Sequence, residues 1–257
     1  MMKRLVFYFI LLSAILQSNR LIAQSCISYS RSIHGRQNMS LINTTGNQYL
    51  DNYCRGEFSQ VCWMLQISPR LYYYDDGNAP NAFFDPATNN IALGKNIILM
   101  VCNNYGYGNA EPGFSYGAVL PFLIAHEAGH AKASQLGWSF RTGSTVKKDE
   151  LFADFCAGMY SCLQRTLINS ASNTRFYGAF NVDPIVDFFG KAGDLEFNKP
   201  QHHGTPDERR HAVLKGYNFM SDYIFNYQRY YRTTAIPAVS DAELYEAASK
   251  MLSSVYD

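Results

Sequence analysis

The sequence predicts an α+β protein that is mostly helical, with a small mixed or antiparallel sheet packed on two central helices. Three observations carry this expectation. Long segments repeat apolar residues at three- and four-residue intervals, and several open on strong helix-start signals. Strand-like patterns are confined to residues 70–74 and to two short runs between 81 and 93. An apolar content of 47% over 257 residues is enough for one substantial core, so a single domain is expected over residues 24–257.

Residues 24–46 are polar and are expected to be irregular. A helix follows over about 47–66, with Tyr49, Leu50, Tyr53, Cys54, Val61 and Leu65 as its apolar face, Gly56 as a candidate break and Pro69 as its end. Arg70 to Tyr74 reads as a strand and Asp75 to Pro80 as a turn. Asn81-Ala-Phe-Phe and Asn90-Ile-Ala-Leu flank Asp85-Pro-Ala-Thr-Asn, the pattern of an antiparallel hairpin. Lys95 to Cys102 reads as a short helix, and Asn103 to Phe114, with three glycines, as a loop. A helix is expected over about 116–136, with Gly137 as a left-handed cap and Pro121 tolerated only in its first turn. Asp183-Pro184 opens a short helix ending near Gly190, and a loop runs on to His203. Thr205-Pro206-Asp-Glu208 is a capping box with proline at the first helical position, and its helix carries a stripe of Val213, Tyr217, Met220, Ile224, Tyr227 and Tyr231, expected to pack in the core. Ser240-Asp-Ala-Glu243 starts a final helix in the same way.

Chemistry enters with His126-Glu127-Ala-Gly-His130, an H-E-x-x-H pattern behind an apolar helical run. Residues four apart share one face of a helix, so both imidazoles reach one metal ion while Glu127 stands beside them as a general base. Such a site needs a third protein ligand, and Zn²⁺ takes a carboxylate oxygen readily. Twenty residues on, Glu150-Leu-Phe-Ala-Asp154 places two carboxylates on one face of a second helix. Glu150 is the expected third ligand, and Asp154 the acceptor of a ligand histidine's spare ring N–H. A solvated acidic stripe is the competing explanation, but the largely apolar stretch from Leu151 to Gly158 is a poor setting for one.

These segments resemble gluzincins, the thermolysin-like zinc peptidases in which H-E-x-x-H precedes a glutamate ligand within E-x-x-x-D. More narrowly they resemble the bacterial neutral zinc metallopeptidase family. His126-Glu-Ala-Gly-His-Ala-Lys-Ala-Ser-Gln-Leu-Gly137 is similar to that family's zinc helix, and Asp149-Glu-Leu-Phe-Ala-Asp-Phe-Cys-Ala-Gly158 to its ligand helix. His203-Gly-Thr-Pro-Asp-Glu-Arg209 is similar to its H-G-[ST]-x-x-[QE]-R segment, with Gly216-Tyr217 following. The likeness spans roughly residues 79–220. It departs at Cys156, one place later than the usual cysteine, at Pro121, and in the long aromatic tail. The resemblance implies a zincin-like fold, one Zn²⁺ per chain on His126, His130 and Glu150, and a peptide or protein substrate. In such peptidases a short sheet above the zinc helix holds extended substrate by strand addition, although the hairpin would equally serve to cover the core. His203 is either an oxyanion donor at the cleft or a loop histidine bonded to backbone. Arg209 is expected to tie helices together by pairing with a buried carboxylate or with carbonyls, rather than to touch substrate. His34, His202, His211 and Arg210 read as surface residues.

Charged residues make up only 17% of the chain and aromatics 15%, nineteen of them tyrosines, which argues against disorder and against a nucleic-acid binder. Lys3-Arg4 followed by the apolar run Leu5 to Leu16 reads as a signal peptide, residues 1–23, too short for a comfortable membrane span. Its removal takes away Lys3, Arg4 and Arg20 and no acid, so the formal charge of +1 becomes slightly negative. The expected destination is periplasmic or extracellular, with no stable membrane span after signal removal. Lipid anchoring through Cys26 is disfavoured, because Ala23-Gln24-Ser25 is a poor lipobox. Six cysteines (26, 54, 62, 102, 156, 162) permit three disulfides in an oxidising compartment. Cys156 and Cys162 fall on different faces of one helix and are not expected to pair. Cys26 with Cys54 or Cys62 is the pairing considered.

The expected function is that of an exported zinc-dependent peptidase, hydrolysing peptide bonds through a metal-activated water with Glu127 as base. Two alternatives stand beside it: an exported zinc-stabilised binding or interaction protein without turnover, and a zinc amidase acting on cell-wall peptides. Oligomeric state is not legible in the sequence.

Overall fold

The computed structural model describes residues 40–77, 80–105, 119–140, 146–170, 185–188, 203–233 and 235–255. Helix α1 (Gln48–Leu65) is followed by strands β1 (Arg70–Tyr74), β2 (Ala82–Asp85) and β3 (Asn90–Gly94), then α2 (Lys95–Tyr105), α3 (Leu120–Gln135), α4 (Lys147–Ser170), α5 (Pro206–Tyr231) and α6 (Asp241–Leu252). A single helical turn at 185–188 lies between α4 and α5. The fold is α+β and mostly helical, with one small mixed sheet. No helix among the described residues is long and apolar enough to cross a membrane.

The sheet has three strands in the order β1-β3-β2, with β1 parallel and β2 antiparallel to β3. The hairpin read from the sequence is present, but β3 enters between β1 and β2. Ile42 covers the outer edge of β1 through paired backbone bonds with Tyr73, at 2.9 and 2.8 Å. The outer edge of β2 faces α3. Gly94 N–H donates to the Asn81 carbonyl at 2.9 Å, making that a hydrogen-bonded pair. Alternation along the ladder then directs the backbone groups of Ala82 and Phe84 away from β3.

Helix α3 explains the architecture around it. Every residue from Leu120 to Ala133 is buried, so the helix has no solvent face. A helix buried all round has to be covered on all sides. The sheet and α1 cover one side and α4 another, while α6 reaches it through Asp241, whose carboxylate accepts from the buried Lys132 ammonium at 2.5 Å. Pro121 falls in the first turn, where its missing N–H costs nothing. Gly137 adopts the left-handed conformation (φ 65°) expected of the cap. Gly56 does not break α1, which runs on to a left-handed Gln66.

Helices α4 and α5 pack backbone to backbone. A Cβ on Gly158 would lie 1.9 Å from the Val213 carbonyl oxygen, and one on Gly216 would lie 1.9 Å from that of Phe155. Both capping boxes form: Thr205 with Glu208, and Ser240 with Glu243. The apolar stripe of α5 ends sooner than its spacing predicts. Val213, Met220 and Ile224 are buried, but Tyr231 is 60% exposed and stacks on Tyr227 at 4.5 Å instead. Cys54, Cys62, Cys102, Cys156 and Cys162 are all free thiols, and Cys156 is indeed unpaired with Cys162. Residues 103–105, expected to open a loop, continue α2 instead. Cys26, the considered partner of Cys54 or Cys62, lies outside the described residues, as do the expected signal segment, His34, His202, residues 106–114 and residues 191–202.

Gly158→Ala is expected to destabilise the protein by about 1–3 kcal/mol or more, because the new methyl meets backbone that cannot rotate away. Urea unfolding of the two proteins measures this, and equal midpoints would mean that the helices separate at no cost.

Candidate metal centre

The site is assembled where α3 and α4 cross. Gly129, inside the H-E-x-x-H segment, makes the crossing tight: a Cβ there would lie 2.8 Å from the Ala153 Cα. Ala153 stands between Glu150 and Asp154 along α4, so this contact brings both carboxylates against the two histidines. The Nε2 of His126 lies 3.4 Å from Glu150 Oε2, and the Nε2 of His130 lies 3.6 Å from Glu150 Oε1. One ligand atom from each of the three residues falls within 4.8 Å of the others, and all three residues are buried.

Those separations are long for hydrogen bonds. Each is of the size that separates two ligands of one zinc ion, about 3.3–3.6 Å for bonds of roughly 2.0–2.2 Å, although the two histidines approach different oxygens of Glu150. Glu150 is fully buried, and its oxygens meet three imidazoles at 3.4–3.6 Å and the Arg209 guanidinium at 3.9 Å, with no short donor among them. A buried carboxylate held only by such long contacts is well placed to take a cation. The donor set of two imidazole nitrogens and one carboxylate oxygen therefore fits a metal ion.

The predicted support of the ligands is also in place. His126 Nδ1 lies 2.9 Å from Asp154 Oδ1, which leaves Nε2 turned toward Glu150 and the metal position. Asp154 is in turn gripped by Arg209, with Nε to Oδ2 at 2.6 Å and an Nη to Oδ1 at 2.7 Å. The expected pairing of Arg209 with a buried carboxylate is met, and its partner is the carboxylate that meets His126 Nδ1. His203 also joins the site, its Nδ1 3.4 Å from Glu150 Oε2 and its side chain 12% exposed. Arg210 instead pairs with Asp207 at 3.0 Å, and His211 is exposed, as surface residues should be.

Glu127 is 2% exposed. Burial pushes its carboxyl up to about 7, opposed by His126 and by a hydrogen bond from the Phe84 N–H. That backbone contact has no side-chain signature in the sequence, and only the placement of the β2 edge reveals it. Burial alone would raise the pKa of Glu150, yet His203, His130 and His126 hold it well below the usual carboxylate range. Burial works against protonated His126, but Asp154 and Glu150 raise it to about 9. His130 is pushed down to about 4 by burial, despite Glu150. A cavity of about 590 Å³ lies beyond the site, between Gln66, the β2–β3 turn at Pro86 and Asn89, and Ser134 in the last turn of α3; no metal ligand lines it.

No family model, curated protein or solved structure matches the chain.

At neutral pH the metal-free site holds His126 protonated, His130 neutral and Glu150 ionised. Zinc binding at pH 7 is expected to displace the Nε2 proton of His126 and so release about one proton or more per chain. Calorimetric titration in buffers of different ionisation enthalpy measures the release. Identical heats in every buffer would contradict ligation through His126 Nε2.

Proposed function

We propose that the chain is an exported zinc-dependent peptidase of the gluzincin kind, with a zincin-like arrangement of sheet, zinc helix and ligand helix. The observation that carries the reading is the fully buried group of His126, His130 and Glu150, whose ligand atoms lie within 4.8 Å of one another, with Glu127 next to His126 in the sequence. His126, His130 and Glu150 would hold the ion, and three protein ligands rather than four are what a catalytic zinc site uses. A bound zinc ion supplies Lewis acidity toward the scissile carbonyl and lowers the pKa of water at that position.

Glu127 takes a proton from the attacking water and delivers it to the leaving amine. A carboxyl held near neutrality by burial suits both transfers. His203, at the rim beside Glu150, donates to the oxygen that gains charge. The β2 edge lies beside the zinc helix, and because the Phe84 N–H is already given to Glu127, an extended peptide would be held next to that edge rather than paired with it at Phe84. Export is supported by the basic-then-apolar character of residues 1–23. A zinc amidase would use the same residues on cell-wall peptides.

A reading without turnover draws on a different observation: His126 and His130 are only 1% and 3% exposed, as in a zinc ion that holds helices together. Glu127 argues against it, because a structural site needs no base. Purified protein is expected to contain about one zinc per chain, and Glu127→Gln to retain the metal while losing cleavage of unfolded proteins and peptide libraries. Zinc binding with no cleavage by the wild-type protein would support the structural reading. Full cleavage by the Gln variant would eliminate Glu127 as the base.

A further inference from the structure

Arg209 is fully buried. Its guanidinium spans both oxygens of Asp154, itself fully buried, and Asp154 Oδ1 is also the atom that meets His126 Nδ1. The same guanidinium lies 3.9 Å from Glu150 Oε2. A single fork from α5 thus faces two carboxylates of α4, one expected to bind the metal and one that orients a metal-binding ring. A planar two-point grip fixes the carboxylate plane, which a point charge would leave free to rotate.

The position of that fork is set from three directions. The Thr205–Glu208 capping box starts α5 one turn before Arg209, and Lys147 in the first turn of α4 reaches the same Glu208 at 3.3 Å. Gly204 turns the chain into the helix with φ at 96°, a conformation that L side chains rarely adopt. Beyond Arg209, the Gly158 and Gly216 contacts hold the two helices at backbone distance. Arg209 makes no use of this rigidity for substrate, since it has no solvent exposure. We propose that Arg209 is a positioning residue for the metal centre, acting through Asp154 to hold the His126 ring in its ligating orientation. The inference rests on the metal-site part of the proposed function and needs no turnover.

The test is zinc affinity, measured by chelator competition on wild type, Arg209→Met, Asp154→Asn and the double variant, with urea unfolding of each metal-free protein alongside. Arg209→Met is expected to weaken zinc binding by about tenfold or more, the usual effect of losing an outer partner of a ligand. Because the effect passes through Asp154, it should largely vanish in the Asp154→Asn background. Arg209→Lys keeps the charge but loses the two-point grip, and should bind zinc with intermediate affinity. It also preserves the test should the Met variant fail to fold. With cobalt in place of zinc, visible absorption bands should change in Arg209→Met, reporting altered ligand geometry independently of stability. Lower stability with unchanged zinc affinity and cobalt spectrum would overturn the proposal and leave Arg209 a helix tie alone. Equal losses in the presence and absence of the Asp154 carboxylate would overturn the route through Asp154. Failure of every variant and of wild type to bind metal would instead remove the metal-site reading beneath it.

Discussion

Two fully buried carboxylates, one helical turn apart on α4, set the terms for the rest of the molecule. Ionised groups taken out of water lose several kcal/mol of hydration each, and only closely placed opposite charge or donors offset that loss. Asp154 is answered by Arg209 from α5 and by His126 from α3. Glu150 is approached by three imidazoles, with no short donor among them. The two helices that bring these groups each meet α4 through glycine: Gly129 on α3 against Ala153, and Gly216 on α5 against Phe155. Close backbone approach and charge compensation are one requirement, because the interactions that offset a buried carboxylate act over a few ångströms.

The burial of α3 follows from the same requirement. A helix exposed on one side would leave His126, Glu127 and His130 in water, where a base stays near its ordinary pKa and charges are screened. Enclosed from Leu120 to Ala133, the helix gives Glu127 a raised pKa and a backbone partner on β2. The sheet is small, but its position counts for more than its size. With Ile42 on the far edge of β1, the edge of β2 is the side of the sheet presented to the metal centre. The buried Lys132, paired with Asp241, holds the other end of the helix to α6. Ring contacts among Trp138, Phe140, Phe152 and Tyr245 also join α6 to α4.

Most element boundaries were legible because they are written locally. The two capping boxes, Pro121 in a first turn and Gly137 as a left-handed cap act within a few residues of themselves. What misled was of the same local kind. Gly56 resembles a helix break, but α1 has a buried face on either side of it, and packing overrides one weak residue. The tyrosines at the end of α5 keep helical spacing without being buried, because periodicity records which residues share a face and not how far the covering surface extends. Cysteine count permitted disulfides, whereas the five described thiols are dispersed over α1, α2 and α4 and remain free.

The sequence by itself determined the donor set. His126 and His130 four apart on a helix, and Glu150 and Asp154 four apart on another, share faces by the geometry of the α-helix alone. It also determined that the second pair lay in an apolar setting where carboxylates need partners. Only the tertiary structure decided that the two faces meet, that Asp154 orients His126 rather than His130, and that Arg209 stands behind it. It likewise decided that the Phe84 N–H meets Glu127. Helical spacing is a property of consecutive residues, whereas contacts across 28 and 55 positions depend on how closely whole helices pack. Here that closeness is set by single glycines, whose consequence cannot be read until the facing backbone is known.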